Sequence, residues 1–166
     1  MNYAAFEELE NGTMARRGNE PEQAYMERVF REACRSDGFC GPDTPCSVHR
    51  INDMLAPEFV SCSAEEQSLT LSLKVREWML NPKGTLHGGM MSTMLDMTMG
   101  VLTRFIRKTN DVSTVSLSLD YLRPVHEGVV MVSAHIRKAG RSVVFVEADL
   151  TDERSRLCTS AIATFM

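Results

Sequence analysis

The sequence predicts an α+β fold in which one long helix is wrapped by a curved antiparallel sheet. Two patterns predict it. Residues 86–107 (LHGGMMSTMLDMTMGVLTRFIR) are the longest uninterrupted apolar-rich segment of the chain. Met90, Met91, Met94, Leu95, Met97, Met99, Val101, Leu102, Phe105 and Ile106 surround most of a helical wheel there, and a helix apolar nearly all round must be buried on nearly all sides. Before and after it, apolar residues recur with period two, which reads as half-buried strands. One sheet curved over one helix is the economical way to cover both.

Each element follows from its own pattern. Residues 1–18 are polar and weakly patterned. Residues 21–35 (PEQAYMERVFREACR) read as a helix, with Pro21 suited to its first turn and Tyr25 and Val29 on an apolar side. Gly38, Gly41, Pro42 and Pro45 make 36–45 a loop, and a short helix over 47–55 stops before Pro57. Leu69, Leu71, Leu73 and Val75 alternate with polar residues, and Asn81-Pro82-Lys83-Gly84 then forms a turn. After the long helix come Val115, Leu117, Leu119 and Tyr121, then Val130, Val132, Ala134 and Ile136, then Val144, Val146, Ala148 and Leu150. Residues 157–165 give the last strand, after a polar turn at 152–155. Cys62 and Cys158 read as ordinary strand residues.

Composition narrows the function. The 166 residues carry 18 Lys and Arg against 22 Asp and Glu, a net charge of -4, which argues against a nucleic-acid binder working through bulk charge. That charge is uneven: residues 1–66 net -7, and residues 67–166 net +3, compatible with an anionic small molecule. No apolar run approaches the roughly 20 residues of a membrane span, so a soluble chain is expected. Residues 1–17 hold Glu7, Glu8 and Glu10 and no apolar core of a secretory leader. Together with an odd number of cysteines, five, this favours reduced thiols and a cytoplasmic location.

Asp96 is the residue most suggestive of chemistry. It is the only carboxylate between Glu77 and Asp111, and it lies in the middle of the apolar helix. Aspartate is a poor helix former and is rarely buried without a partner. It either shares a narrow polar stripe with Ser92, Thr93 or Thr103, or acts as general base or nucleophile. The second candidate is the run from Asn81 to Gly89. His87-Gly88-Gly89 opens the helix, where glycines permit close approach and free N–H groups can bind an oxyanion. The same residues could serve simply as turn formers.

The spacing Asn81-x2-Gly84-x-Leu86-His87-Gly88-Gly89, followed by Leu95-Asp96, resembles the PaaI-type acyl-CoA thioesterases of the hotdog superfamily. Thr114, the Leu119-Asp120-Tyr121-Leu122-Arg123-Pro124 run and Gly128 match that family's pattern as well. The resemblance covers roughly residues 50–166. It implies a hotdog domain over 46–166, preceded by a partly helical extension over 1–45 that such a domain does not need. It implies an acyl-CoA substrate, no cofactor, and a homodimer with shared active sites, assembled further as a dimer of dimers. By resemblance, Asp96 attacks the thioester or activates water, and the Gly88 N–H polarises the carbonyl. Asn81 helps hold carbonyl or water, His87 supports the turn, and Thr114 reaches in from the partner subunit to position water. Gly89, Arg123, Lys138, Gly140 and Arg141 are expected to meet coenzyme A, while Arg104, Arg107 and Lys108 read as favourable charges at a helix C-terminus.

Three alternatives remain at this level. The fold could serve a non-catalytic acyl-CoA-binding regulator, or a hydratase or dehydratase, although those enzymes usually arrange a catalytic His differently. Cys34, Cys40, Cys46 and His49 offer four metal-ligating side chains, but their five-residue gaps fit structural zinc poorly, and no metal is expected.

Overall fold

The computed structural model describes residues 18–21, 23–25, 28, 51–107, 109 and 111–166. The order is α1 (Ile51–Leu55), β1 (Glu58–Ser63), β2 (Ser68–Val75), a 3₁₀ turn (Glu77–Met79), α2 (Gly88–Arg107), β3 (Thr114–Tyr121), β4 (Gly128–Ala139), β5 (Val144–Thr151) and β6 (Leu157–Phe165). Six strands form one antiparallel sheet in the order β1-β2-β4-β5-β6-β3. The predicted α+β class and the helix wrapped by a sheet are both present. Of the helix expected at 21–35, residues 23–25 and 28 are described and helical, and the Tyr25 N–H donates to the Pro21 carbonyl at 3.0 Å. The remainder of that helix, and most of the 1–45 extension, lie outside the described residues.

Period-two patterning sorts the side chains as expected. Leu69, Leu71 and Leu73 of β2, Val130 and Val132 of β4, Val144, Val146 and Leu150 of β5, and Phe165 of β6 are all buried beneath α2. The helix meets them with Met94, Leu95, Met99 and Leu102. Its hydroxyls do not oppose this burial, because each returns to the carbonyl four residues back. Ser92 donates to Gly88, Thr93 to Gly89, Thr98 to Met94 and Thr103 to Met99, at 2.8–3.0 Å. Among the described residues, no helix is long and apolar enough to cross a membrane.

Two strands depart from the simple pattern. β1 has no clear alternation in its sequence, since a bulge between Phe59 and Ser61 breaks the period. β3 lies at the open edge of the sheet and carries a bulge between Thr114 and Ser116. Val115 is the extra residue and is 55% exposed. Thr114 therefore pairs with inward-facing Phe165 instead of following Ser116 and Ser118 outward.

The β5–β6 turn is fixed by Asp152. Its carboxylate accepts from the N–H groups of Arg154 and Arg156 at 2.9 Å each, and from the Arg156 guanidinium at 2.6 and 2.8 Å. The Arg156 side chain above all, then the backbone donors, hold its pKa at about 2 instead of 3.8. A depressed carboxylate pKa contributes stability above the unfolded value of about 4, which is lost as pH falls through the folded one. Asp152→Asn is therefore expected to lower the melting temperature at neutral pH, and the gap to wild type should close between pH about 4 and 2. Thermal melts across that range check it; a gap independent of pH would contradict it.

Candidate active site

The helix that carries Asp96 begins in a rigid turn. The Asn81 side chain organises that turn. Its Oδ1 accepts from the N–H groups of Lys83 at 2.9 Å and Thr85 at 3.3 Å, and its Nδ2 donates to Thr85 Oγ1 at 2.8 Å. Gly84 adopts φ +72°, a conformation that glycine enters without strain. The Leu86 N–H donates to Val125 and the His87 N–H to Met79, tying the loop to its surroundings. His87 then caps α2. Its Nδ1 accepts from the Gly89 N–H at 2.9 Å, and its carbonyl accepts from Met90 and Met91. A Cβ on Gly89 would lie 3.1 Å from that ring nitrogen, so glycine keeps the cap uncrowded.

These bonds leave the Gly88 N–H at the first position of α2, with no acceptor for it among the described residues. The Gly88 backbone is pressed by Tyr121, whose ring carbon Cζ is 3.3 Å from where a Cβ would stand. Tyr121 Oη donates to the Gly88 carbonyl at 3.1 Å and lies 2.7 Å from Ser92 Oγ. Gly88, Met91, Tyr121 and Arg123 line a cleft of about 290 Å³. Arg123 is fixed there by donating to the Leu157 carbonyl at 2.6 Å.

Asp96 lies on the same helix, eight residues and about 12 Å of axial rise away. It is half-buried and accepts at Oδ1 from Thr114 Oγ1 at 2.8 Å. Thr114 thus reaches Asp96 from the same chain. The β3 bulge is what turns its hydroxyl toward the carboxylate. Asp96, Thr93, Met97, Gly100, Arg104 and Thr114 share a second cleft of about 240 Å³. Of the three hydroxyls considered beside Asp96, only that of Thr93 lines this cleft, and Ser92, Thr93 and Thr103 all bond backward along the helix.

The basic residues divide between the two ends of the sheet. Arg123 follows β3 at the Gly88 end. Lys138, Gly140 and Arg141 lie at the β4–β5 hairpin beside Val144, which pairs with Phe165, itself the partner of Thr114 at the Asp96 end. One chain therefore does not bring Arg123 to Lys138 and Arg141. Gly140 has a reason of its own to be glycine, because a Cβ would stand 2.9 Å from the Val143 carbonyl. Arg107 donates to the Gly140 and Arg141 carbonyls at 3.1 and 3.3 Å, locking the end of α2 to this hairpin. Lys108 lies outside the described residues.

Cysteine chemistry finds no support at this site. Cys158 is buried, burial pushes its thiol pKa up, and its Sγ donates to the Arg156 carbonyl. Among the described residues no group of His, Cys, Asp or Glu is arranged to hold a metal ion. Cys34, Cys40, Cys46 and His49 lie outside those residues.

The thioesterase superfamily profile matches residues 83–159, the span that holds Gly88, Asp96 and Thr114. A Pseudomonas aeruginosa protein named as an esterase is 33% identical over 115 residues, covering 68% of this chain and 84% of that protein. The chain belongs to the PaaI-type thioesterases of the hotdog superfamily. Acyl-coenzyme A thioesterase 13 of Mus musculus is 28% identical over 102 residues, covering 61% of this chain and 73% of that enzyme. A crystal structure from Ralstonia eutropha JMP134, named as a thioesterase related to phenylacetic acid degradation, superposes with a TM-score of 0.65 at 29% identity, covering 73% of this chain and 92% of that one. This PaaI-type thioesterase chain thus sits among thioester hydrolases, with α2 and its His87 cap inside the matched span. The sequence placed Ser92 in a polar stripe and Tyr121 in a family pattern without joining them; only the close approach of β3 to Gly88 brings the two together.

Proposed function

We propose that this chain hydrolyses acyl-CoA thioesters to the free acid and coenzyme A, at sites each built by two copies of the chain. The separation along α2 carries this reading. A carboxylate and an N–H about 12 Å apart on one helix cannot act on the same carbonyl carbon. A two-fold pairing across the open β3 edge sets the Gly88 end of one helix against the Asp96 of the other, because an isologous contact exchanges equivalent residues.

In such a site the thioester oxygen accepts from the Gly88 N–H, and the helix N-terminus stabilises the oxyanion as it develops. Asp96 stands on the opposite face of the carbonyl. As base it takes a proton from water while the water oxygen bonds to the carbonyl carbon. The C–S bond then breaks, and the proton passes to the departing thiolate. As nucleophile it would bond to the carbonyl carbon and expel the coenzyme A thiolate by C–S cleavage, leaving a mixed anhydride that water opens to the free acid and the regenerated Asp96 carboxylate. Thr114 holds one carboxylate oxygen and leaves the other for this work. Asn81 and His87 keep the donor end of the helix rigid. The same pairing sets Arg123 of one copy near Lys138 and Arg141 of the other, giving the phosphates of coenzyme A cations from both, with Gly89 and Gly140 permitting close backbone approach. The named activity of mouse acyl-coenzyme A thioesterase 13 supports the substrate class.

A panel of short, medium-chain and aryl acyl-CoA thioesters, read with a thiol-reactive dye, tests the reading. Release of coenzyme A from at least one of them is the expected result. Tight binding with no thiol release would replace it with a non-catalytic acyl-CoA regulator.

A further inference from the structure

The first turn of α2 contains a closed triangle of oxygens that neither the capping residues nor Asp96 explain. Tyr121 Oη is 2.7 Å from Ser92 Oγ and 3.1 Å from the Gly88 carbonyl oxygen, and Ser92 Oγ is 3.0 Å from that same carbonyl oxygen. Two hydroxyl hydrogens serve three contacts, so two are satisfied at a time and each hydroxyl depends on the other's direction. The Tyr121 ring lies flush against the Gly88 backbone, at a distance that a side chain on residue 88 would crowd. Tyr121 is also 54% exposed and lines the cleft that Gly88 opens into.

We propose that Tyr121, steered by Ser92, is a positioning residue that fixes the first peptide units of α2 and so aims the Gly88 N–H at the thioester oxygen. This rests on the reading of Gly88 as carbonyl donor. The physical reason is that a lone backbone donor at a helix terminus frays easily, whereas oxyanion stabilisation requires it to be held before the charge develops. His87 holds the turn from the N-terminal side, through its own N–H and its ring. Tyr121 and Ser92 hold it from the C-terminal side, through the Gly88 carbonyl. Phenylalanine at 121 keeps the ring against Gly88 and removes only the hydroxyl, while alanine at 92 keeps the helix and removes the other corner.

The test is steady-state hydrolysis by purified wild type, Tyr121→Phe, Ser92→Ala, the double variant and Asp96→Ala, with the best acyl-CoA of the panel, alongside thermal melts. Tyr121→Phe should lower kcat roughly tenfold with KM within about twofold and little change in melting temperature, since misdirecting a donor costs transition-state stabilisation more than substrate binding. The double variant should be no slower than Tyr121→Phe by more than about twofold, because the triangle acts as one unit. An unchanged kcat in Tyr121→Phe, a change confined to KM, or fully additive losses in the double variant would each overturn the proposal. Asp96→Ala separates the two levels. If it retains wild-type turnover, the role of Asp96 in the underlying reading fails, and wild type that releases no thiol from any acyl-CoA overturns the hydrolytic reading itself; if wild type turns over and Asp96→Ala is inactive, the Tyr121 result bears on positioning alone.

Discussion

Asp96→Ala is expected to lower kcat/KM for thioester hydrolysis by about 10²- to 10⁴-fold, the range that a positioned base supplies. Asp96→Asn should be nearly as damaging, because the amide keeps a partner for the Thr114 hydroxyl but cannot accept the proton. Stability should move the other way. The carboxylate occupies the middle of a 20-residue helix where alanine is the better helix former, so Asp96→Ala should melt at or above the wild-type temperature. Coenzyme A release and thermal melts on the same preparations check both. A variant that loses activity by unfolding would lose both together, and one that keeps wild-type kcat/KM would remove Asp96 from the mechanism.

Mixing two inactive variants gives the second large effect. Gly88→Pro removes the N–H at the first helical position and leaves Asp96 in place, although its Cβ also displaces the Tyr121 ring 3.3 Å away, so a thermal melt accompanies it. Asp96→Ala removes the carboxylate and leaves the N–H. If each site takes one group from each copy, a mixed pair has one site lacking both groups and one fully intact. Unfolding and refolding an equimolar mixture should therefore restore activity from near zero to about a quarter of the wild-type level, since random pairing makes half the pairs mixed and half of their sites whole. A site built within one chain would show no recovery. Activity measured against mixing ratio distinguishes the two, and the recovery should be greatest at equal amounts.

Most of the frame was legible because it follows from periodicity. The apolar wheel over 86–107 and the alternation in β2, β4 and β5 depend only on which side chains must leave water, and the buried faces match residue by residue. Asp96 was legible as an anomaly within that pattern. β1 was not, because Glu58, Val60 and Ser61 give no alternation once a bulge interrupts it. The contact between Thr114 and Asp96 was hidden for the same reason. Strict period two sets Thr114 on the face opposite Leu117 and Leu119, away from the carboxylate that it meets in the folded chain. The split between the Gly88 and Asp96 clefts was equally hidden, although the eight-residue spacing was plain. Only the axial rise of a helix converts that spacing into a distance too long for one carbonyl.

The irregularity at Val115 also bears on how such a chain can change over time. A bulge at a sheet edge re-aims the side chain beside it without dismantling the rest of the ladder. Here that one extra residue decides whether the threonine supports the carboxylate or faces away from it. A lineage could thus part with this contact through a single-codon deletion while keeping its architecture. Within this scaffold, ancestry of shape and ancestry of reaction need not coincide.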